Sequence, residues 1–242
     1  MWISYIPCPQ ECIEIKVDCA EEVYRHWEDL ENKLKSSRYL INTSNPIFQI
    51  LDKVTDINIS ETTLYRARIN EKIRNGGEGK FNKNELKAPP SELCKSGRLN
   101  PAGVSYLYLS DSKETCVSEV RPWIGSEVEV AEFYPVSNLL IKDLTINDKD
   151  DQGIRNLKLV LGENFSKPIS SNNIETEYRI TQCLAEYIRD YCKNSNGQSY
   201  DGIKFSSSAF QGGYNIVIFE PSKMRIGSII GRAKIENVII EF

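Results

Sequence analysis

The chain has 242 residues, of which 40% are hydrophobic and 26% are charged, a balance typical of a globular protein with enough apolar material for a core. Its 30 basic and 34 acidic residues give a formal net charge of −4. That balance argues against a protein that chiefly neutralises nucleic-acid phosphates, and no apolar run reaches the roughly 18 residues of a membrane span. We therefore expect neither direct nucleic-acid binding nor insertion into a membrane.

The first 60 residues are interpreted as an N-terminal helical appendage. A helix is predicted over residues 18–35, because Asp18 suits an N-cap and the apolar residues that follow recur at helical spacing: Val23, Trp27, Leu30 and Leu34. A second short amphipathic segment follows at residues 47–54. The apolar stripe must be covered, either by the rest of the chain or by another subunit, and we expect an oligomer. Acidic residues interrupt residues 1–20, so no signal peptide is predicted.

Strand patterns dominate the rest of the chain, residues 61–242. Strands are predicted at residues 62–69, 105–109, 128–133, 139–144, 202–205, 215–219 and 237–242. Helices are predicted at residues 112–120, 149–161 and 175–192, and residues 70–97 are predicted to form a long surface loop over the site. The elements mix without βαβ regularity, which indicates an α+β fold with a largely antiparallel or mixed sheet.

Missing residue types exclude several kinds of enzyme. The one histidine, His26, lies in the N-terminal helix, and no Gly-x-Ser-x-Gly turn is present, which argues against serine and cysteine hydrolase machinery. No Walker A loop or Gly-x-Gly-x-x-Gly motif occurs. A zinc set of Cys8, Cys12, Cys19 and His26 is conceivable, but seven scattered cysteines are more typical of reduced thiols in a cytoplasmic protein. We expect no metal and a cytoplasmic location.

Four segments carry the chemistry, in a fixed order along the chain. Residues 64–69 hold two arginines on one strand face, and residues 97–108 set an arginine in a Gly/Pro-rich turn before an aromatic strand. A short helix then carries Glu119, and residues 201–208 end in three serines. Such a set suits a site that clamps an anion, stacks on a ring and stabilises positive charge with a carboxylate. Taken alone, each residue also has an ordinary role, such as Glu119 pairing with Arg121 on a solvated helix.

Together these segments resemble the RES-domain family, named for an arginine, a glutamate and a serine, over roughly residues 60–220. The resemblance implies a fold related to ADP-ribosyltransferases. It implies catalytic roles for Arg66, Glu119 and Ser207, with Ser206 and Ser208 as rivals to Ser207. By the same match, Arg98 and Tyr108 are expected to contact the substrate, and two neighbours of Arg66 on its strand, Tyr65 and Arg68, are further candidates for substrate contact.

Family members act as toxins of bacterial toxin–antitoxin pairs that consume NAD. The resemblance therefore implies cleavage of the nicotinamide–ribose bond by a glycohydrolase or phosphorylase, with NAD as substrate and no further cofactor. The alternative is a mono-ADP-ribosyltransferase that modifies a protein, and the sequence leaves open whether water, phosphate or a side chain accepts the ADP-ribose. The expected partner is an Xre-type antitoxin or another regulatory protein. The protein is expected to act as a bacterial toxin or as a defence effector.

Overall fold

The computed structural model describes residues 13–36, 44–71, 79, 81–167 and 174–236. Helices within these ranges are α1 (Ile13–Ser36), α2 (Pro46–Lys53), α3 (Lys83–Leu86), α4 (Lys113–Glu119), α5 (Gln152–Ser166), α6 (Ile174–Glu177) and α7 (Arg179–Asp190). Strands are β1 (Asp56–Ile59), β2 (Leu64–Ile69), β3 (Leu107–Ser110), β4 (Glu127–Pro135), β5 (Leu139–Asp143), β6 (Gly202–Ser206), β7 (Tyr214–Ile218) and β8 (Met224–Lys234). Short 3₁₀ turns occupy Ser91–Leu93 and Pro221–Lys223.

The strands form one sheet in the order β1-β5-β6-β7-β3-β2-β4-β8. Neighbouring strands are antiparallel except β5 and β6, which run parallel. Strands β2 and β3 pair only through Tyr65 and Ser110, so the sheet opens at this junction. The α+β prediction, with a mixed and mostly antiparallel sheet and an N-terminal helix, is confirmed.

The two outer strands of the sheet differ in length. On one side β1 has four residues and pairs with β5. On the other side β8 has 11 residues and pairs with β4. That last pairing shifts register between Val130 and Ala131 and again between Ala131 and Phe133, which bends the β4–β8 ribbon.

Polar caps set where several helices begin. The side chain of Ser112 accepts a hydrogen bond from the Thr115 N–H at the start of α4, and Asp151 accepts one from the Ile154 N–H at the start of α5. These bonds satisfy N–H groups that have no partner within the helix. The α4 cap fixes the helix that ends at Glu119.

Several predicted boundaries differ from the structure. The region predicted as one loop at residues 70–97 carries α3 and a 3₁₀ turn, and Asn82 and Glu85 form a capping box on α3. Neither β1 nor β8 was predicted as a strand. The strand predicted at residues 237–242 lies outside the described residues. The predicted strands at 62–69 and 128–133 correspond to β2 and β4.

Helix α1 packs on the rest of the chain. Its apolar stripe, predicted from spacing, is buried and shares one hydrophobic cluster with side chains of α2, α5 and α7. Trp27 is only 4% exposed within that cluster. The surface that covers the stripe is therefore supplied by this chain itself. In the part of the chain that the structure describes, no helix combines the length and apolarity needed to cross a membrane.

Replacing Trp27 with alanine should lower the free energy of unfolding by about 3–5 kcal/mol, because a buried aromatic side chain is lost and a cavity remains. Chemical denaturation followed by circular dichroism measures the effect. The control is Glu28→Ala on the same helix, where the side chain is exposed and the expected change is within about 0.5 kcal/mol. Equal stability of the two variants would show that α1 does not contribute to the core.

Candidate active site

A cleft of about 450 Å³ lies where β2 and β3 separate. This volume falls within the usual range for small-molecule sites, roughly 300–1,000 Å³. Its walls come from strands β2, β3, β6 and β7, from helix α4 and from the end of α5. The lining residues include Tyr65, Arg66, Arg98, Tyr108, Ser110, Cys116, Glu119, Arg121, Phe165, Tyr178, Phe205, Ser206, Ser208 and Asn215.

Glu119 is the last residue of α4, and its side chain is held by two hydrogen bonds. The Ser207 hydroxyl and the Asn215 side-chain amide each donate to Oε1, both at 2.6 Å. Oε2 receives no hydrogen bond from any residue that the structure describes. No ion pair with Arg121 is formed within the described ranges, so the ordinary pairing considered for an isolated helix is not seen. The carboxylate is fixed through one oxygen while the other stays available to a ligand.

Ser207 orients this carboxylate. Its Oγ donates its single proton to Glu119 and accepts hydrogen bonds from the backbone N–H groups of Ala209 at 3.2 Å and Phe210 at 3.1 Å. With these contacts the hydroxyl has no further proton to donate to a substrate. Ser206 and Ser208 are exposed and line the cleft without contacting Glu119. Of the three serines, Ser207 is the one joined to the glutamate.

Asn215 is the site residue that sequence reasoning missed. It lies on β7 and is only 7% exposed, and its amide is bound to Glu119. The signal in the sequence is an asparagine inside an otherwise apolar strand, Tyr214–Ile218. A buried amide must find hydrogen-bond partners, so an asparagine in such a strand indicates a polar group facing it.

Arg66 brings an unpaired positive charge to the cleft. Its Nη1 donates to the Tyr108 carbonyl at 3.3 Å, while its Nε is buried without a partner. Burial, reinforced by the charge of Arg68, lowers the pKa of the Arg66 guanidinium to about 10, so it remains cationic at neutral pH. Within the described ranges no carboxylate forms an ion pair with it. An anionic ligand would supply the missing partner.

Arg98 also lines the cleft, but its guanidinium already has partners. Nη1 and Nη2 donate to the carbonyls of Asn164 at 2.9 Å and Lys167 at 3.0 Å, at the C-terminal end of α5. The guanidinium carbon lies 5.4 Å from the ring centroid of Tyr178. Free carbonyls and the helix dipole both favour a cation at this end of a helix. Arg98 therefore stabilises the wall of the cleft and adds positive charge to it.

Tyr108 presents its ring to the cleft, whereas its hydroxyl belongs to the preceding turn. The hydroxyl donates to Asn100 Oδ1 at 2.7 Å and accepts from the Leu99 N–H at 3.1 Å. Burial raises the pKa of Tyr108 above its usual range. A Cβ at Gly97 would collide with Asn100 Oδ1 and with the Tyr108 hydroxyl, so only glycine fits where the turn packs on this strand.

The remaining two predicted contact residues occupy different places. Tyr65 lines the cleft, and the Lys113 amine lies 5.9 Å from its ring centroid. Arg68 donates to the Glu85 carbonyl at 2.7 Å and lies over the Phe81 ring at 5.0 Å, outside the cleft lining. Arg66 and Arg68 are two residues apart on β2, so alternation places both on one strand face, but the part of β2 that lines the cleft ends at Ala67.

Among the described residues, no group of three or more metal-ligating side chains occurs. Cys8, Cys12 and the side chain of Cys19 lie outside the described residues. The zinc alternative and the expectation of no metal both remain predictions.

Replacing Arg66 with methionine should raise the free energy of unfolding by about 1 kcal/mol, because a buried and incompletely paired cation is replaced by an apolar chain of similar length. The same variant should lose binding of anionic ligands in the cleft. Arg68→Met, on the same strand but exposed, is the matched control and should give no gain in stability. Thermal and chemical denaturation measure the difference, and a clear destabilisation by Arg66→Met would contradict this account of its charge.

Replacing Arg98 with lysine should lower the free energy of unfolding by about 1 kcal/mol, since one ammonium group cannot reproduce the two-carbonyl contact of the guanidinium fork. Arg155→Lys, at an exposed position of α5, provides the control. If both variants unfold at the same denaturant concentration, the contact with the helix end does not stabilise the fold.

The sequence was compared with curated proteins and with models of protein families, and one family model matches. No curated protein matches the chain significantly. The family model described as RES domain matches residues 63–234, which is more than two thirds of the chain and includes every residue that contacts the Glu119 carboxylate. The suspected relationship is confirmed, and this chain belongs to the RES-domain family.

Proposed function

We propose that this protein cleaves NAD at the bond between nicotinamide and ribose. The observation that carries the proposal is a carboxylate, Glu119, held through Oε1 and open at Oε2 in the same cleft as the unpaired Arg66 cation. Membership of the RES-domain family is consistent with an NAD-utilising, toxin-like protein.

The charges of the cleft suit the pyrophosphate of NAD. Among the described residues, three arginines line it, Arg66, Arg98 and Arg121, and Glu119 supplies the one acidic side chain. Guanidinium groups bind phosphate oxygens with two parallel hydrogen bonds, and a partly buried cleft strengthens such contacts relative to water. A ligand with two adjacent phosphates would balance the surplus of positive charge.

Aromatic side chains supply a surface for the flat rings of the dinucleotide. The half-buried Tyr178 lines the cleft, and Phe165 and Phe205, whose ring centroids are 4.7 Å apart, are buried in the wall behind it. Aromatic faces of this kind stack on planar heterocycles. Arginines, aromatic rings and one carboxylate in the same cleft support the proposal of a dinucleotide substrate.

The proposed chemistry is loss of nicotinamide from the anomeric carbon. The C–N bond breaks, its electron pair passes to the pyridinium nitrogen, and the ribose acquires oxocarbenium character. Glu119 Oε2 would stabilise that positive charge or bind a ribose hydroxyl, an interaction that strengthens in the transition state. Water or phosphate would then attack the anomeric carbon and form the new C–O bond, and the proton that the attacking group loses is released to solvent.

A protein side chain is the alternative acceptor, which would make the protein a mono-ADP-ribosyltransferase. Exposed apolar side chains on the loops that follow Glu119 and Ser207 favour this second candidate: Ile124 and Phe210. Such residues beside the cleft offer a surface to a protein target or to an inhibitory partner such as an antitoxin.

We propose the cytoplasm as the location, which fits the free thiols of Cys94, Cys116, Cys183 and Cys192.

Replacing Glu119 with glutamine should reduce nicotinamide release from NAD by two or more orders of magnitude, or about 3 kcal/mol of transition-state stabilisation. The amide keeps the shape of the side chain but not its negative charge. Glu114→Gln, exposed on the same helix, is the control and should retain activity. The assay is run in buffer, with added phosphate and with candidate protein acceptors, so that the product identifies the acceptor. Wild-type turnover in Glu119→Gln would refute the catalytic assignment.

A further inference from the structure

We infer that Ser110 is a positioning residue for Glu119, acting through Asn215; the inference rests on the proposed function for its kinetic consequences. Ser110 ends β3 and is 4% exposed, and Asn215 stands directly opposite it on β7. The Ser110 hydroxyl donates to Asn215 Oδ1 at 2.7 Å, and Asn215 Nδ2 donates to Glu119 Oε1 at 2.6 Å. Three side chains from two strands and a helix are joined in one line.

The carboxylate of Glu119, at one end of this line, determines which group donates in each of its hydrogen bonds. An ionised carboxylate only accepts hydrogen bonds, so the NH₂ group of Asn215 must face Glu119. The carbonyl oxygen of Asn215 then faces Ser110, whose hydroxyl must donate. The reversed amide would direct its oxygen at the carboxylate, and Ser110 opposes that reversal by binding the oxygen on the other side.

This line and the Ser207 contact approach the same oxygen from different elements. Ser207 follows β6 and is held by the backbone of Ala209 and Phe210, while Asn215 is held by Ser110. Two oriented donors on Oε1 fix the rotation of the carboxylate, which aims Oε2 into the cleft. A positioned carboxylate stabilises developing charge without reorganising during the reaction.

Ser110 also occupies the point where the sheet opens. It is the residue of β3 that pairs with Tyr65 of β2, the single pairing between these strands. Its side chain is buried at this junction, at the wall of the cleft. Its contact with Asn215 gives the junction a role in the geometry of the site.

A matched pair of variants tests the inference. Ser110→Thr and Ser110→Val add the same bulk at a buried strand position, but only threonine keeps the hydroxyl. We expect Ser110→Val to lower kcat for nicotinamide release at least tenfold relative to Ser110→Thr, with similar KM values. Ser110→Val should also have the lower Tm, because the buried Asn215 Oδ1 loses its hydrogen-bond donor, so both variants are assayed well below their Tm. Asn215→Asp, which keeps the shape but cannot donate to Glu119, should lower kcat at least as far. Equal kcat values for the threonine and valine variants would overturn the inference.

A measurement without NAD separates this inference from the proposed function. In ¹H–¹⁵N spectra the side-chain amide of Asn215, assigned by its absence from Asn215→Asp, should keep its position in Ser110→Thr and shift or broaden in Ser110→Val. If the signal shifts only in Ser110→Val and the wild type does not cleave NAD, the role of Ser110 in orienting Asn215 is supported and the proposed function is refuted. If the wild type cleaves NAD but the Asn215 amide signal is identical in both Ser110 variants, the role of Ser110 is refuted and the proposed function is retained.

Discussion

The geometry of the cleft depends on the buried hydrogen bonds that tie the turn at residues 97–100 to its surroundings. Asn100 is 2% exposed, donates to the carbonyls of Lys95, Pro101 and Val104, and accepts from the Tyr108 hydroxyl. From the other side, Gln182 on α7 donates to the carbonyls of Gly97 and Asn100. Buried polar groups are costly when unpaired, so this network either forms completely or destabilises the turn. It links β3 to α7 and places Arg98 against the end of α5.

The N-terminal helices extend that support outward. Helix α1 packs on α5 and α7, and these are the helices that hold Arg98 and the turn. Residues outside the family match at 63–234 thus belong to the core that backs the site. By contrast, the Arg66 cation lies in the cleft with the Tyr108 carbonyl as its one hydrogen-bond partner among the described residues, an arrangement that is typical of ligand sites and costs stability.

Sequence patterns predicted much of this fold because they are local. Period-two alternation identified β2 and β4, and helical spacing identified the buried stripe of α1. Strand β8 carries two glycines and three exposed charged residues among its apolar residues, and its pairing with β4 is non-local, so alternation alone does not reveal it. Glu129 is a second example, because it alternates with the apolar Val128 and Val130 along β4 and is nevertheless buried. It is 2% exposed because Asn70, the Phe81 N–H and Arg232 satisfy its carboxylate.

The site was predictable in its residue types and less so in its contacts. The structure brings Arg66, Glu119 and Ser207 to one region of the fold, as the resemblance implied. Two contacts were beyond sequence reasoning: Arg98 reaches carbonyls 66 and 69 residues away, and Asn215 reaches Glu119 across 96 residues. Sequence spacing carries no information about such long-range hydrogen bonds, which arise only when the strands are assembled.

The form of the two outer strands has a consequence for self-association through sheet edges. An exposed strand with free N–H and C=O groups is a template for pairing with another chain and hence for aggregation. Here β1 offers only four residues, and β8 is bent by two register shifts and carries Arg225, Arg232 and Lys234. Both are poor templates for a strand from a second molecule, so the described sheet is protected against growth into larger β-aggregates.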